Sequence, residues 1–212
     1  MELHAFPGQV RRNDRVKTLT CGVGPVESTL SLTRLLSGSN ASEVTAVVNF
    51  GVGGAYPGSD LSILDLCFAD REVLADLAIC TEEGFLDLPA SLTVVRDFSL
   101  DNALLAAAEN FCRQKGCAFR KGSFATVCCA SGSAQRGQTL RNKYQAVCEN
   151  MEGAALARVC KEFGVPFLEV RAISNMVENR DLTGWQLEAA AARAAILAAE
   201  FALFLLGEKS TW

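Results

Sequence analysis

The segment QAVCENMEGAALARVCKEFGVPFLEVRAISN, residues 145–175, sets the architecture of this chain. QAVCEN, 145–150, reads as a short strand. Helical character follows from Gly153 to Phe163 and stops at Gly164-Val165-Pro166, where a helix-ending glycine is followed by a proline that cannot continue the helix. FLEVRAIS, 167–174, then reads as a second strand, with the residue types that fit a pleated, buried surface. Strand, crossover helix and strand in that order predict two parallel strands in one sheet.

The same alternation extends in both directions. VKTLTCGV near 16–23 reads as a strand, residues from about Glu27 to Leu36 as a helix, and EVTAVVNFG as a strand ending at Gly51. LSILDLCFA near 61–69, LTVVRDF near 92–98 and FATVCCASG at 124–132 are further strands. Asp101 can cap a helix that runs to about Lys115 and repeats Leu104, Leu105, Ala108, Phe111 and Cys112 at helical spacing. The last helix, about Gly184 to Leu206, places Leu187, Ala191, Ala194, Leu197 and Phe201 along one face. With no repeat and no linker, the 212 residues predict one α/β domain, a mixed, mostly parallel sheet flanked by helices. Ligands gather at the carboxyl ends of strands in such sheets, so chemistry is expected just after Gly51, Ala130, Asn150 and Ser174.

Composition excludes several function classes. A net charge of −4 with scattered Lys and Arg gives no basic stripe, which argues against a nucleic-acid partner. The apolar stretch at 189–206 is interrupted by Arg193 and Glu200, which argues against a membrane span, and the N-terminus lacks the apolar core of a signal peptide, so a cytoplasmic protein is expected. Nine cysteines without a C-x-x-C pair read as free, buried thiols. The single histidine, His4, leaves the body of the chain without a Ser-His-Asp or Cys-His site and without the commonest zinc ligand, so neither a metal nor another cofactor is expected. Catalysis is left to carboxylates, amides, hydroxyls and backbone.

Three segments carry such groups. NFGVGGAYPG, 49–58, is a glycine run after an apolar strand; it brings backbone close to a ligand oxygen or makes a tight turn, and it matches neither common phosphate-loop spacing. In CENMEGAALARVC, 148–160, Glu149 and Glu152 flank Met151 at a strand-to-helix junction. A carboxylate there either accepts two hydrogen bonds from a vicinal diol or complements the helix dipole. In EVRAISNMVENRD, 169–181, a strand delivers Ser174 and Asn175 at its carboxyl end, where an amide either reads an amide-like base edge or caps a turn.

Together N-x-G-x-G-G, N-M-E-G-A-A and V-R-A-I-S-N, with GVGPVEST at 22–29, resemble the nucleoside phosphorylase and nucleosidase superfamily over about 190 residues. Within it, NFGVGGAYPG, EEGFLDLP and ENMEGAALARVCKEFGVPFLEVRAISN are most similar to the futalosine hydrolase branch, which removes hypoxanthine from futalosine in menaquinone biosynthesis. The resemblance implies a single-domain, three-layer fold and a homodimer or higher homo-oligomer. It assigns Glu152 to the ribose hydroxyls, Met151 to the face beneath the sugar, and Gly51, Val52, Gly53 and Gly54 to a loop near the sugar. It assigns Asn175, preceded by Ser174, to N7 and the 6-substituent of the base, and Ser133 to Gln135 to the base lining. Adenine-specific members carry Asp where this chain has Asn175. A carboxylate facing the O6 of hypoxanthine would set acceptor against acceptor, whereas an amide can donate to it, so a 6-oxopurine nucleoside is expected.

The alternatives are a phosphorylase, a methylthioadenosine/S-adenosylhomocysteine nucleosidase, and a catalytically silent nucleoside binder. No arginine stands in the glycine segment, the nearest being Arg71, which favours water over phosphate as nucleophile. The family's first strand ends in an acid that activates the water. Here VKTLTCGVG already reads as the second strand, residues 1–15 read as a mobile N-terminus before a domain at 16–212, and Glu2 and Asp14 are the only acids upstream of Gly22. The general base is therefore unassigned, and binding without rapid hydrolysis is expected.

Overall fold

The computed structural model describes residues 15–38, 43–82, 84–179 and 181–207. His4, Glu2 and Asp14 lie outside the described residues.

A mixed sheet is built from β1 (Val47–Ala55), β2 (Leu66–Leu74), β5 (Asp97–Ser99), β6 (Arg120–Thr126), β7 (Ala146–Asn150) and β8 (Phe167–Met176), in the order β5-β2-β6-β7-β1-β8. The parallel ladders β1–β8, β2–β6 and β6–β7 are the longer ones. An antiparallel pairing of Leu66–Phe68 with Ala172–Val170 joins β2 to β8, so β2, β6, β7, β1 and β8 close into a ring. A small hairpin, β3 (Ile79–Thr81) and β4 (Gly84–Leu86), stands apart.

Helices α1 (Gly24–Leu36), α2 (Ala103–Lys115), α3 (Ala134–Tyr144), α4 (Gly153–Phe163) and α5 (Leu187–Leu205) flank the sheet. Strand alternation divides the core between two faces. From β8, Leu168, Val170 and Ala172 pack with α2 and α5 residues such as Leu105, Phe111, Ala194 and Phe201. Phe167 and Ile173 pack on the other face, with α1 and α4 residues such as Leu32, Leu36, Leu156 and Cys160. Glu169 and Arg171 share that second face by the same alternation, and they are buried.

The limits of the strand–helix–strand unit at 145–175 match their prediction closely, but its two strands are not parallel: β1 lies between them, antiparallel to β7 and parallel to β8, so β7 and β8 run in opposite directions. Several boundaries elsewhere move. Residues 16–22 form no strand: the described residues offer them no partner ladder, and they lie largely exposed. α1 starts earlier than predicted, at Gly24, with Pro25 pre-set for a first turn. β1 does not stop at Gly51 but carries the glycine run through to Ala55, with a register shift between Gly53 and Gly54. β2 starts later and runs on to Leu74, β5 keeps only Asp97 and Phe98 of 92–98, and β6 ends at Thr126 rather than entering 127–132. Asn102, not Asp101, caps α2, its side chain accepting from the N–H groups of Leu104 and Leu105. α5 buries Ala190 and Ala198 in place of Leu187 and Ala191, because its apolar face is rotated slightly from the predicted one. All nine cysteines are free, but Cys80, Cys128 and Cys129 are exposed rather than buried.

Candidate active site

At the junction of β7 and α4, the side chains of Asn150 and Thr126 rather than that of Glu152 decide how the helix begins. Asn150 Oδ1 accepts from the N–H groups of Glu152 (2.9 Å) and Gly153 (2.8 Å), and Thr126 Oγ1 accepts from Ala154 N–H (2.8 Å). These bonds satisfy N–H donors that a helix start otherwise leaves open. The Glu152 side chain makes no capping bond and is free for another use.

Its two oxygens are held from opposite sides. Glu152 Oε1 accepts from Gly24 N–H at 3.0 Å, just before Pro25 in the first turn of α1, and Oε2 accepts from Arg171 Nη2 at 3.1 Å. A carboxylate has about four acceptor positions, so roughly half remain open. The side chain keeps 13% of its surface exposed, enough to meet a ligand.

Arg171 anchors this arrangement. Its Nε donates to Glu169 Oε1 at 2.7 Å and its Nη1 to the Val52 carbonyl at 3.1 Å. Burial opposes the guanidinium charge, but Glu169 and Glu152 more than offset it, so its pKa lies above the ordinary value. Gly51 makes this geometry possible: a Cβ there would stand 2.8 Å from Arg171 Nη1. The glycines thus sit in a strand that leaves room for a buried arginine, and not in a phosphate-type loop. Arg71, nearest in sequence terms, is tied instead to Asp97 and the Tyr144 carbonyl. The arginine beside the glycine segment is Arg171, which sequence reasoning passed over; its signal is a Glu-x-Arg pair in a strand of otherwise apolar and small residues.

A second carboxyl lies behind the first. Glu72 is wholly buried, accepting from Asn150 Nδ2 (2.6 Å) and Thr126 Oγ1 (2.7 Å). Burial, and then repulsion from Glu169, push its carboxyl well above the usual carboxylate range.

Glu149, the other acid flanking Met151, takes a structural place. It accepts from Tyr56 OH (2.9 Å) and from Ser131 N–H (2.8 Å) and Oγ (2.6 Å), fixing the segment after β6. Burial, then the Glu149 charge, hold the Tyr56 phenol well above its ordinary value, so it stays a donor.

Asn175 stands at the carboxyl end of β8, paired with Gly54 across the ladder. Its Oδ1 accepts from Ser174 Oγ at 2.8 Å and its Nδ2 donates to the Met176 carbonyl at 3.1 Å, which leaves one N–H and one lone pair for a ligand. Glu152, Gly51, Val52, Gly53, Gly54, Ser174 and Asn175 therefore cluster around β1, β8 and the start of α4. Met151 is half-buried beside Glu152. Gln135 is exposed in the first turn of α3, a helix the sequence reading did not predict, and Ser133 spends its hydroxyl capping that helix by accepting from Arg136 N–H.

The model of the phosphorylase superfamily matches residues 5–203. The chain belongs to that superfamily. It is 32% identical over 189 residues to futalosine hydrolase of Streptomyces coelicolor, covering 87% of this chain and 75% of that protein. It is 30% identical over 176 residues to futalosine hydrolase of Thermus thermophilus, covering 81% and 74%. Among solved structures, 5′-methylthioadenosine/S-adenosylhomocysteine nucleosidase of Helicobacter pylori with butyl-thio-DADMe-Immucillin-A superposes with a TM-score of 0.75 at 26% identity, over 86% of this chain and 77% of that one. Among the described residues, no helix is long and apolar enough to cross a membrane.

Proposed function

We propose that this superfamily member is a nucleosidase that hydrolyses the N-ribosidic bond of a 6-oxopurine nucleoside, with futalosine as substrate and hypoxanthine as the released base. The carrying observation is Glu152, freed from capping, gripped by Gly24 N–H and Arg171, and still offering acceptor positions. In this reading its oxygens take the 2′- and 3′-hydroxyls, and Met151 lies under the sugar. Asn175 donates from Nδ2 to O6 and accepts at Oδ1 from N7–H as the base leaves. Ser174 fixes the amide through its 2.8 Å bond. Gly51 to Gly54 admit Arg171 beside the sugar, and Gln135 lies on the base side.

Two named futalosine hydrolases at 30% identity or more support this substrate. The solved Helicobacter relative is named for adenine nucleosides, and Asn175 argues against that choice here. The acid that activates water is assigned to no described residue, since Glu149, Glu72 and Glu169 are engaged elsewhere. The test is to incubate the chain with futalosine, inosine and methylthioadenosine, with and without phosphate, and follow base release and competitive binding. Phosphate-independent hypoxanthine release supports hydrolysis. Tighter binding of methylthioadenosine than of inosine or futalosine overturns the base assignment.

The reading includes a homo-oligomer, most simply a dimer. Val23 and Val26, each 76% exposed beside Gly24, give an apolar surface next to the site for a second copy. Sedimentation showing only monomer at micromolar concentration would remove it.

A further inference from the structure

Six polar side chains on the sheet face beneath α4 form a continuous buried network. Asn49 Nδ2 and Arg171 Nε both donate to Glu169 Oε1, at 3.1 and 2.7 Å, while Thr126 Oγ1 and Asn150 Nδ2 both donate to Glu72. One fully buried oxygen of the network stands without a partner. Glu169 Oε2 is buried and receives no N–H or O–H from the network just described. A buried oxygen left without a donor is destabilising.

What stands next to that oxygen is the Glu72 carboxyl. A methyl group built on Gly153 would overlap both Glu72 Oε1 and Glu169 Oε2, so the two oxygens converge on the same small volume under the first residue of α4. Both residues are wholly excluded from solvent. Two ionised carboxylates cannot share such a place, and the cation that reaches the pair, Arg171, is already divided between Glu169 and Glu152. A single proton resolves both problems, removing one charge and supplying the missing donor.

We propose that Glu72 and Glu169 share one proton at neutral pH, that Glu72 donates it to Glu169 Oε2, and that this bond makes Glu72 a positioning residue for the site. Through it Glu169 is a singly charged, fully bonded support for Arg171, and Arg171 keeps Glu152 aimed at the ligand. The proton stays within the pair, and no bond to substrate forms or breaks. Among the described residues, the ionisable groups around the pair are Arg171 on β8, Glu152 at the start of α4, Cys148 on β7 with Cys67 on β2 beside it, and Cys21 before α1. Burial pushes all three thiols up, so none supplies a charge near neutrality. The positioning role rests on the proposed nucleoside reading, but the shared proton does not.

The test separates the two. Infrared difference spectra of the full chain, wild type minus Glu72→Gln at neutral pH, should contain a protonated-carboxyl carbonyl band. Glu72→Gln keeps a donor toward Glu169, giving up only the bond from Asn150 Nδ2, and should bind inosine within about threefold of wild type. Glu72→Met keeps the length but removes the donor and should weaken binding about tenfold or more, the affinity equivalent of one unsatisfied buried group. No such band in the difference spectrum overturns the shared proton, whatever the binding results. A folded Glu72→Met with wild-type affinity, or a folded Glu72→Gln weakened tenfold (about 1.4 kcal/mol), overturns the positioning role. If Glu72→Met fails to fold, the Gln variant alone decides. Wild-type protein that shows the band but binds neither inosine nor futalosine defeats the nucleoside reading and leaves the proton assignment standing.

Discussion

Arg171 Nη2 lies 3.1 Å from Glu152 Oε2, and the same guanidinium holds Glu169 at 2.7 Å, so the accessible carboxylate is braced by a buried one. A purely structural role for Glu152, as the partner of Arg171 and of Gly24 N–H, predicts that Glu152→Gln costs stability and nothing in ligand selectivity. A diol role predicts that the preference for inosine over 2′-deoxyinosine shrinks by about 1–3 kcal/mol, the scale of a lost buried hydrogen bond. Competition binding of the two nucleosides to wild type and variant measures this. An unchanged preference rejects the ribose assignment.

Gly153 gives a cleaner stability test. At an ordinary helix position, Gly to Ala gains about 0.8–1 kcal/mol from propensity. Here the added methyl meets the Glu72 and Glu169 oxygens, which are walled in by Thr126, Asn150 and Asn49. Gly153→Ala is therefore expected to destabilise by about 1–3 kcal/mol, as overpacking does. Urea unfolding of the two proteins checks the sign; a stabilised variant would show that the carboxyl pair has room to move.

The parts legible in the sequence were those decided locally. Gly153–Phe163 carries its own stop at Gly164, and the flanking strands carry their own composition, so all three emerged near their true limits. The segment 16–22 has strand-like residues, but local preference cannot supply a partner ladder. Gly51 to Gly54 look like a turn because glycine weakens strands. They are strand because β8 pairs along them, and the side chains they lack leave room for Arg171 at Gly51, Cys148 at Gly53 and Val177 at Gly54. α3 escaped notice because AQRGQTLRNKY is polar and buries only Gly137, Leu140 and Tyr144. The Glu72–Glu169 contact joins β2 to β8, and no periodicity within either strand announces which residues meet across the fold.

Under the proposed function, Asn175 reads the base. With Nδ2 donating to the Met176 carbonyl, the amide cannot turn over without setting its own oxygen against that carbonyl. Asn175→Asp places a second acceptor against O6, so inosine binding should weaken by about 1–3 kcal/mol while binding of adenosine or methylthioadenosine holds or improves. Titration of each nucleoside into both proteins gives the comparison. Equal weakening of all of them would mean that residue 175 supports the strand end and does not read the base.

The raised Glu72 carboxyl also has a stability signature with a defined sign. In the unfolded chain a glutamate titrates near about 4.3. Between that value and the higher folded one, the native protein keeps a proton that the unfolded chain releases. This contribution is full below the unfolded pKa and is lost progressively as pH rises toward the folded pKa. Glu72→Gln carries no such proton. Its stability relative to wild type should therefore increase on going from about pH 5 to about pH 8, even though other groups change both proteins in parallel. Urea unfolding of the two proteins at both pH values gives the difference directly. A difference that stays constant, or that moves against the variant as pH rises, would mean that Glu72 is ionised in the native protein and that Glu169 finds its missing donor elsewhere.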